Sequence, residues 1–163
     1  MSKNVLRIII YIFSILSITG CSTFTTSSNI KTAQITELNQ TYNGPLLKIT
    51  ATDIKSISSP YNEEEIIIGV RFIIENSSTN NFLLSPINFS AYVDNITAQG
   101  SINSELNVAG EKLNGEIASG KSAKGFYAVE APKDAKQIEV RIEEAFEKSY
   151  AVFVFDVPAI IVN

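Results

Sequence analysis

Residues 65–75 set the tightest constraint on the fold. There Ile66, Ile68, Val70, Phe72 and Ile74 alternate with Ile67, Gly69, Arg71, Ile73 and Glu75. Successive side chains of a strand point to opposite faces, so this spacing makes one face wholly apolar. A helix would scatter the same residues around its axis. The segment reads as a strand whose apolar side needs a second layer to cover it.

Weaker versions of the pattern recur along the chain. Residues 46–54 are β-rich, and Ser58-Ser59-Pro60-Tyr61-Asn62 breaks them. Residues 76–81 form a polar turn, and Leu83-Leu84-Ser85-Pro86 leads on to the next strand. There Phe89, Ala91 and Val93 alternate with Ser90, Tyr92 and Asp94; Asp94-Asn95 favours a turn, and Ile96-Thr97-Ala98 suits a short return strand. Residues 100–115 carry no clear pattern. Ser119-Gly120-Lys121 is a turn. Phe126, Ala128 and Glu130 alternate with Tyr127 and Val129 as far as Pro132, and Lys133-Asp134-Ala135-Lys136 reads as a helical or 3₁₀ turn. Ile138, Val140 and Ile142 mark another strand, and 143–149 read as a loop or one helical turn. In 150–157 Val152 and Val154 oppose Phe153 and Phe155 until Pro158 ends the run. Ile160-Ile161-Val162 suits a terminal strand or edge packing. About seven closely spaced strands without a long amphipathic helix predict an all-β antiparallel sandwich, with a closed barrel as the rival.

The residue types exclude much chemistry. The chain has no His and no Trp, and Met1 is its only Met. Ser-His-Asp and Cys-His catalysis are therefore absent, as are His-based zinc, copper and haem sites. Any metal would be a hard cation held by oxygens. The single Cys, Cys21, allows no disulfide within one chain, so stability must come from burying apolar surface.

The first 20 residues read as an export signal. Lys3 and Arg7 form a positive start without an acid, and 8–18 are mostly apolar. That run suits a signal core and falls short of the ~20 residues that span a bilayer. Ile18-Thr19-Gly20-Cys21 then resembles the lipobox of bacterial lipoproteins. The resemblance implies cleavage after Gly20 and a diacylglyceryl group on the Cys21 thiol. That group would hold the protein on the extracytoplasmic face of the membrane, or on the outer membrane of a diderm host. The alternatives are a plain secretory signal with an incidental Cys, or an uncleaved anchor. Removing 1–20 takes away Lys3 and Arg7 and no acid, leaving 11 basic and 17 acidic residues, so the net charge goes from −4 to −6. That balance argues against nucleic acid and against electrostatic docking on anionic lipid. Residues 21–44 read as the lipidated Cys followed by a Ser/Thr/Asn-rich tether, which would hold the domain about 25 Å from the membrane. An ordered piece near Ile35-Thr36-Glu37-Leu38 fits as well, and the domain is read as 45–163.

Four segments carry a further resemblance. They are Val70-Arg71-Phe72-Ile73-Ile74-Glu75-Asn76-Ser77-Ser78; Leu84-Ser85-Pro86-Ile87-Asn88-Phe89; Leu113-Asn114-Gly115-Glu116-Ile117-Ala118-Ser119-Gly120-Lys121 running into Lys124-Gly125-Phe126; and Val129-Glu130-Ala131-Pro132-Lys133-Asp134-Ala135. In order and spacing they resemble small Ig-like lipoproteins of unknown function that are common in Gram-positive bacteria. The resemblance implies an Ig-like sandwich similar to that of a mycobacterial secreted immunoprotective antigen. It brings no catalytic residues. Residues 100–108 fit it least.

The candidate sites each have a plainer reading. Glu63-Glu64-Glu65, with Asp53 or Asp94, is the one place for Ca²⁺; it lacks a calcium-loop motif and reads more simply as a solvated loop protecting a strand edge. Glu143, Glu144 and Glu147 could pair for acid/base work, although carboxylates in a strand-end loop are usually surface. Arg71 lies on the outward side of its strand, with Glu75 or a cross-strand acid as the expected salt-bridge partner. Tyr61, Tyr92, Tyr127 and Tyr150 are the contact candidates, because Tyr gives large area at low entropy cost; each also suits the rim of a core. The sequon matches at Asn76, Asn88 and Asn95 are chance in a bacterial lipoprotein.

The sequence thus predicts a membrane-anchored interaction module, non-enzymatic and without cofactor, whose partner is an envelope or extracellular protein. A prophage-type or immunity lipoprotein that blocks phage or toxin, and a carboxylate-based hydrolase, are the alternatives. Replacing Cys21 by Ala should abolish palmitate labelling and leave the protein uncleaved or released. Fractionation and gel mobility check this, and a variant processed and membrane-bound like the wild type would refute the anchor.

Overall fold

The computed structural model describes residues 32–102, 106–144 and 150–159. The twelve strands among them are β1 (Thr32–Ile35), β2 (Thr41–Asn43), β3 (Leu47–Ser58), β4 (Glu65–Asn76), β5 (Phe82–Leu84), β6 (Phe89–Val93), β7 (Ile96–Ala98), β8 (Gly100–Ser101), β9 (Gly115–Ile117), β10 (Ser122–Pro132), β11 (Gln137–Glu143) and β12 (Tyr150–Asp156). One sheet runs β1-β12-β11-β6-β7 and the other β2-β3-β4-β10-β8, with β5-β9 as a small third sheet. The all-β antiparallel sandwich predicted from the sequence is the architecture found. One pair departs from it: β1 runs parallel to β12, with Thr32 opposite Tyr150.

The alternating stripe does what its spacing requires. Ile66, Ile68, Val70, Phe72 and Ile74 are all at most 1% exposed, facing Ile138, Val140, Ile142 and Phe153 of the opposite sheet. The sheets interlock through aromatic rings. Phe72 meets Phe153 edge-on at 5.1 Å and Phe89 at 6.5 Å, while Phe89 stacks on Tyr127 at 4.9 Å. Rings of alternate sheets therefore touch in turn, beyond what burial alone contributes.

Two local devices shape the sheets. In β3 the register shifts between Ala51 and Asp53, so Thr52 is bulged out and its hydroxyl bonds the Arg71 carbonyl at 3.3 Å. The extra residue lets odd-numbered Ile49 and even-numbered Ser56 both be buried. Asp94 and Asn95 both take positive φ, 47° and 67°, which matches the twist of a two-residue hairpin between β6 and β7.

Several expectations need correction. The stretch 21–44 is not tether throughout, since β1 and β2 fall within it and both are paired into the sandwich. Ile35 and Tyr42 are each 4% exposed; scattered apolar residues in a polar stretch are anchoring points here, and the sandwich begins by Thr32 rather than at 45. The strand count exceeds about seven because β2, β5, β8 and β9 have only two or three residues, too few to show alternation, while the equally short β7 is the return strand expected at Ile96–Ala98. A 3₁₀ turn at Pro86–Asn88, also unforeseen, leads into β6; Asn88 Oδ1 accepts from the Ser85 N–H at 2.9 Å. Residues 133–136 form the turn expected there, closed by the Ala135 N–H donating to the Pro132 carbonyl at 3.0 Å. Cys21, Gly20, Glu147 and 160–162 lie outside the described residues.

Truncating Phe72 to Ala should cost about 3–5 kcal/mol, since it empties a site bounded by the Phe89 and Phe153 rings of the opposite layer. A loss of that size in unfolding free energy, read from the urea midpoint and the slope m, checks it.

Candidate functional site

The register defines two ends about 35 Å apart, the length of a twelve-residue strand. Thr32, Glu143 and Tyr150 lie at one end, where the chain enters. Leu46 joins that end, because its N–H donates to Glu144 Oε2 at 2.7 Å. The far end carries the turn 59–64, the Asp94-Asn95 hairpin, the turn 133–136 and the segment after β12. Backbone bonds from Lys133 to Glu64, Asp94 to Gln137 and Val157 to Lys136 bind these pieces together. The Ser56 hydroxyl donates to the Pro158 carbonyl at 2.8 Å and ties the two sheets there.

Charge divides unevenly between the ends. Glu63, Glu64, Glu65, Asp94, Glu130, Asp134 and Asp156 gather at the far end against Lys133 and Lys136, a net −5. The other described residues hold eight acids and seven bases, a net −1. Elsewhere the charges pair, as in Lys48–Glu75 at 3.0 Å and Lys55–Asp53 at 3.3 Å. None of the seven far-end acids makes an ion pair among the described residues.

Two grooves open at the same end. One, of about 470 Å³, lies between Ile66, Lys133, Ala135 and Lys136 on one side and the 156–159 segment on the other. The second, of about 400 Å³, is the gap between the two sheets at one corner. Val93, Ile96 and Ala98 line it from one sheet, and Glu65, Glu130 and Pro132 from the other. Ile96 is 73% exposed there.

The four tyrosines do not form one surface. Tyr61 stands at the far end, 78% exposed. Tyr92 and Tyr150 are half-buried on the outer face of the β1-β12-β11-β6-β7 sheet, flanking Arg141. The Arg141 guanidinium lies 4.4 Å from the Tyr92 ring centre, and Glu139 accepts from its Nε at 2.5 Å. The Glu139 hydrogen bond raises the Arg141 pKa. Tyr127 is a correction: at 3% exposed it is a core residue with no area to offer a partner, and burial pushes its phenol pKa up. A Cβ on Gly100 would come within 2.1 Å of its hydroxyl, so glycine is what lets β8 cross there.

The acidic residues separate. Asp53 lies mid-strand, opposite Arg71, away from Glu63-Glu64-Glu65. The Asp94 carboxylate accepts from the backbone N–H of Lys136 and Gln137 at 3.1 and 2.9 Å. Among the described residues no three carboxylates come close enough to hold a cation. Glu144 is 2% exposed and holds the Leu46 turn, with Gly44 pressed against its carboxylate, while Glu143 is exposed at the strand end.

Arg71 pairs, but with neither expected partner. Glu75 takes Lys48, and Arg71 makes a two-pronged contact with Glu111, which also lies 3.5 Å from Lys124. The patternless stretch holding Glu111 straps the outer face of the β2-β3-β4-β10-β8 sheet. Leu106 fills the space a side chain at Gly69 would need, and Asn107 Oδ1 accepts from the Phe126 N–H at 2.6 Å. This strap explains why Phe126 is 1% exposed on an outward face.

The sequence matches the family described as "Domain of unknown function (DUF4352)" over residues 30–152, and the chain belongs to that family. No curated protein matches it. Among solved structures, ycdA of Bacillus subtilis, which carries a lipoprotein assignment, superposes with a TM-score of 0.60 at 14% identity. The likeness covers 74% of this chain and 39% of ycdA, so the chain spans well under half of that relative. The yjhA protein of Bacillus subtilis gives 0.58 at 13% identity over 75% of this chain and 100% of its own. An uncharacterized β-sandwich protein of Clostridium difficile gives 0.51 at 12%, over 78% and 94%. At these identities the shared property is the fold.

The hydrogen bonds from Arg71, helped by the charges of Arg71 and Lys124 and opposed by burial, hold the Glu111 pKa below the ordinary carboxylate value. A depressed folded pKa contributes stability above the unfolded value, about 4.3, and loses it as pH falls through the folded one. Glu111→Gln should therefore lower the urea midpoint at pH 7, and the gap from wild type should narrow progressively below about pH 4. Denaturation at pH 7 and pH 3 checks the sign.

Proposed function

We propose that this chain is an exported lipoprotein, held by a diacylglyceryl group on Cys21 at the extracytoplasmic face of the membrane. Its Ig-like sandwich serves as a non-enzymatic contact module for an envelope or extracellular protein, and contact is made by the far end. The observation that carries this is topological. The chain enters at the Thr32 end, and ten residues separate Cys21 from Thr32. Among the described residues, the two grooves, Tyr61 and most of the net charge lie at the opposite end. An anchor on Cys21 would hold the entry end to the bilayer and turn the far end to the medium. The acidic far end favours that posture over an anionic membrane. The lipoprotein assignment of ycdA supports the anchor, and the commitment of Glu144 to the Leu46 turn supports a non-enzymatic role. No helix among the described residues is long and apolar enough to cross a membrane.

Photo-crosslinking in the living cell tests the reading. A crosslinking residue at Tyr61 should give a discrete protein adduct, and one at Ser119, in the entry-end turn, should give none. An adduct from Ser119 alone, or equal adducts from both, would refute contact by the far end.

A further inference from the structure

We infer that the corner groove between the sheets is a docking slot for an extended, basic and apolar segment of a partner protein, which adds to the sandwich as a strand. The inference rests on the reading of the far end as the contact surface and names its occupant. Both sheets stop short at this corner. β7 is an edge strand whose one neighbour is β6. In a two-residue hairpin the pair Val93–Ile96 closes the turn, so the next residue, Thr97, turns its N–H and C=O outward. On the opposite wall β8 pairs only Ala128 and Val129 of β10. Chain order explains the gap: after Ala98 the chain has just left the other sheet, and β8 begins two residues later. Residues 130–132 therefore have β4 on one side and no strand on the other among the described residues.

The groove's chemistry selects the occupant. Its floor is Val93, Ile96, Ala98 and Pro132, and an exposed isoleucine favours an apolar side chain from the visitor. Its rim carries Glu65, Glu130 and Asp94 with no cation among the lining residues. Strand side chains alternate, so a Lys-apolar-Lys segment can set apolar groups on the floor and cations on the rim at once. Main-chain bonds to Thr97 would supply affinity and the acids would supply selection.

The test is binding of a fluorescent peptide, Lys-Ile-Lys-Val-Lys-Ile-Lys, to the full processed protein in a neutral detergent, with amide hydrogen exchange locating the site. Binding should protect 95–99 and 129–132, and Glu130→Lys should weaken it at least tenfold. The Glu-for-Lys peptide should not bind. Thr97→Pro, which removes an outward N–H, should also weaken binding while the thermal melt stays cooperative. Protection confined to 60–64 or 133–136 would overturn the slot and leave far-end contact standing. Absence of binding, or protection elsewhere, would overturn both. Stronger binding after deletion of 160–163 would make the chain's own end the occupant and overturn the proposal. So would a dimer in sedimentation that Glu130→Lys dissolves.

Discussion

The sandwich depends on apolar burial between its two layers, where the Phe72 and Phe153 rings meet edge to face at 5.1 Å. Around it, Phe89 and Tyr127 continue the alternation of rings from one sheet to the other. The chain's single Cys leaves no disulfide to hold the layers, so apolar burial between the two inner faces must do it. Everything else in the architecture serves to keep those faces opposed and in register. The bulge at Thr52 restores inward alternation in β3, and Gly100 gives the Tyr127 hydroxyl room at the edge.

A second layer of fixing lies outside the core. The strap carrying Leu106, Asn107 and Glu111 covers an outward face that would otherwise expose Phe126. Its holds on the sheet include the Asn107 side chain on the Phe126 N–H, the Glu111 ion pairs with Arg71 and Lys124, the Lys112–Lys124 bridge and the buried Leu113. At the entry end Asn76 plays a similar part, its side-chain amide donating to the Asn80 and Ile117 carbonyls at 2.7 and 2.8 Å. Several buried polar groups, Ser56, Asn76 and Asn88 among them, are satisfied by joining segments distant in sequence.

The two ends of the molecule are built differently. The entry end is closed by the Glu144, Asn76 and Asn88 bonds, with Lys48 and Glu75 paired beside them. The far end is closed mainly by backbone bonds between turns, leaving acidic side chains in water and two grooves open. The β1–β12 parallel pair sets this polarity. Because β1 starts level with Tyr150, the incoming chain is fixed to one end and the open features to the other.

The strands of five residues or more were legible because each buries one face, and burial writes a period of two into the sequence; β4, β6 and β11 are the clearest cases. The turns at Asp94-Asn95 and Gly120 were legible because positive φ selects Asn, Asp and Gly. Short strands such as β2 and β8 left no pattern, having too few residues to repeat one. Tyr127 could not be sorted from Tyr61, since alternation tells which residues share a face but not which face is inside. The partner of Arg71 was hidden for a related reason. Glu111 lies 40 residues away in a stretch without periodicity, and only packing brings the strap across the sheet. By itself, then, the sequence determined the strand content, the class of fold and the lack of His-based chemistry, because these follow from local spacing and residue type. The tertiary structure alone decided which end the chain enters, where the acids collect and where the sheets part, because those depend on the pairing of segments remote in sequence.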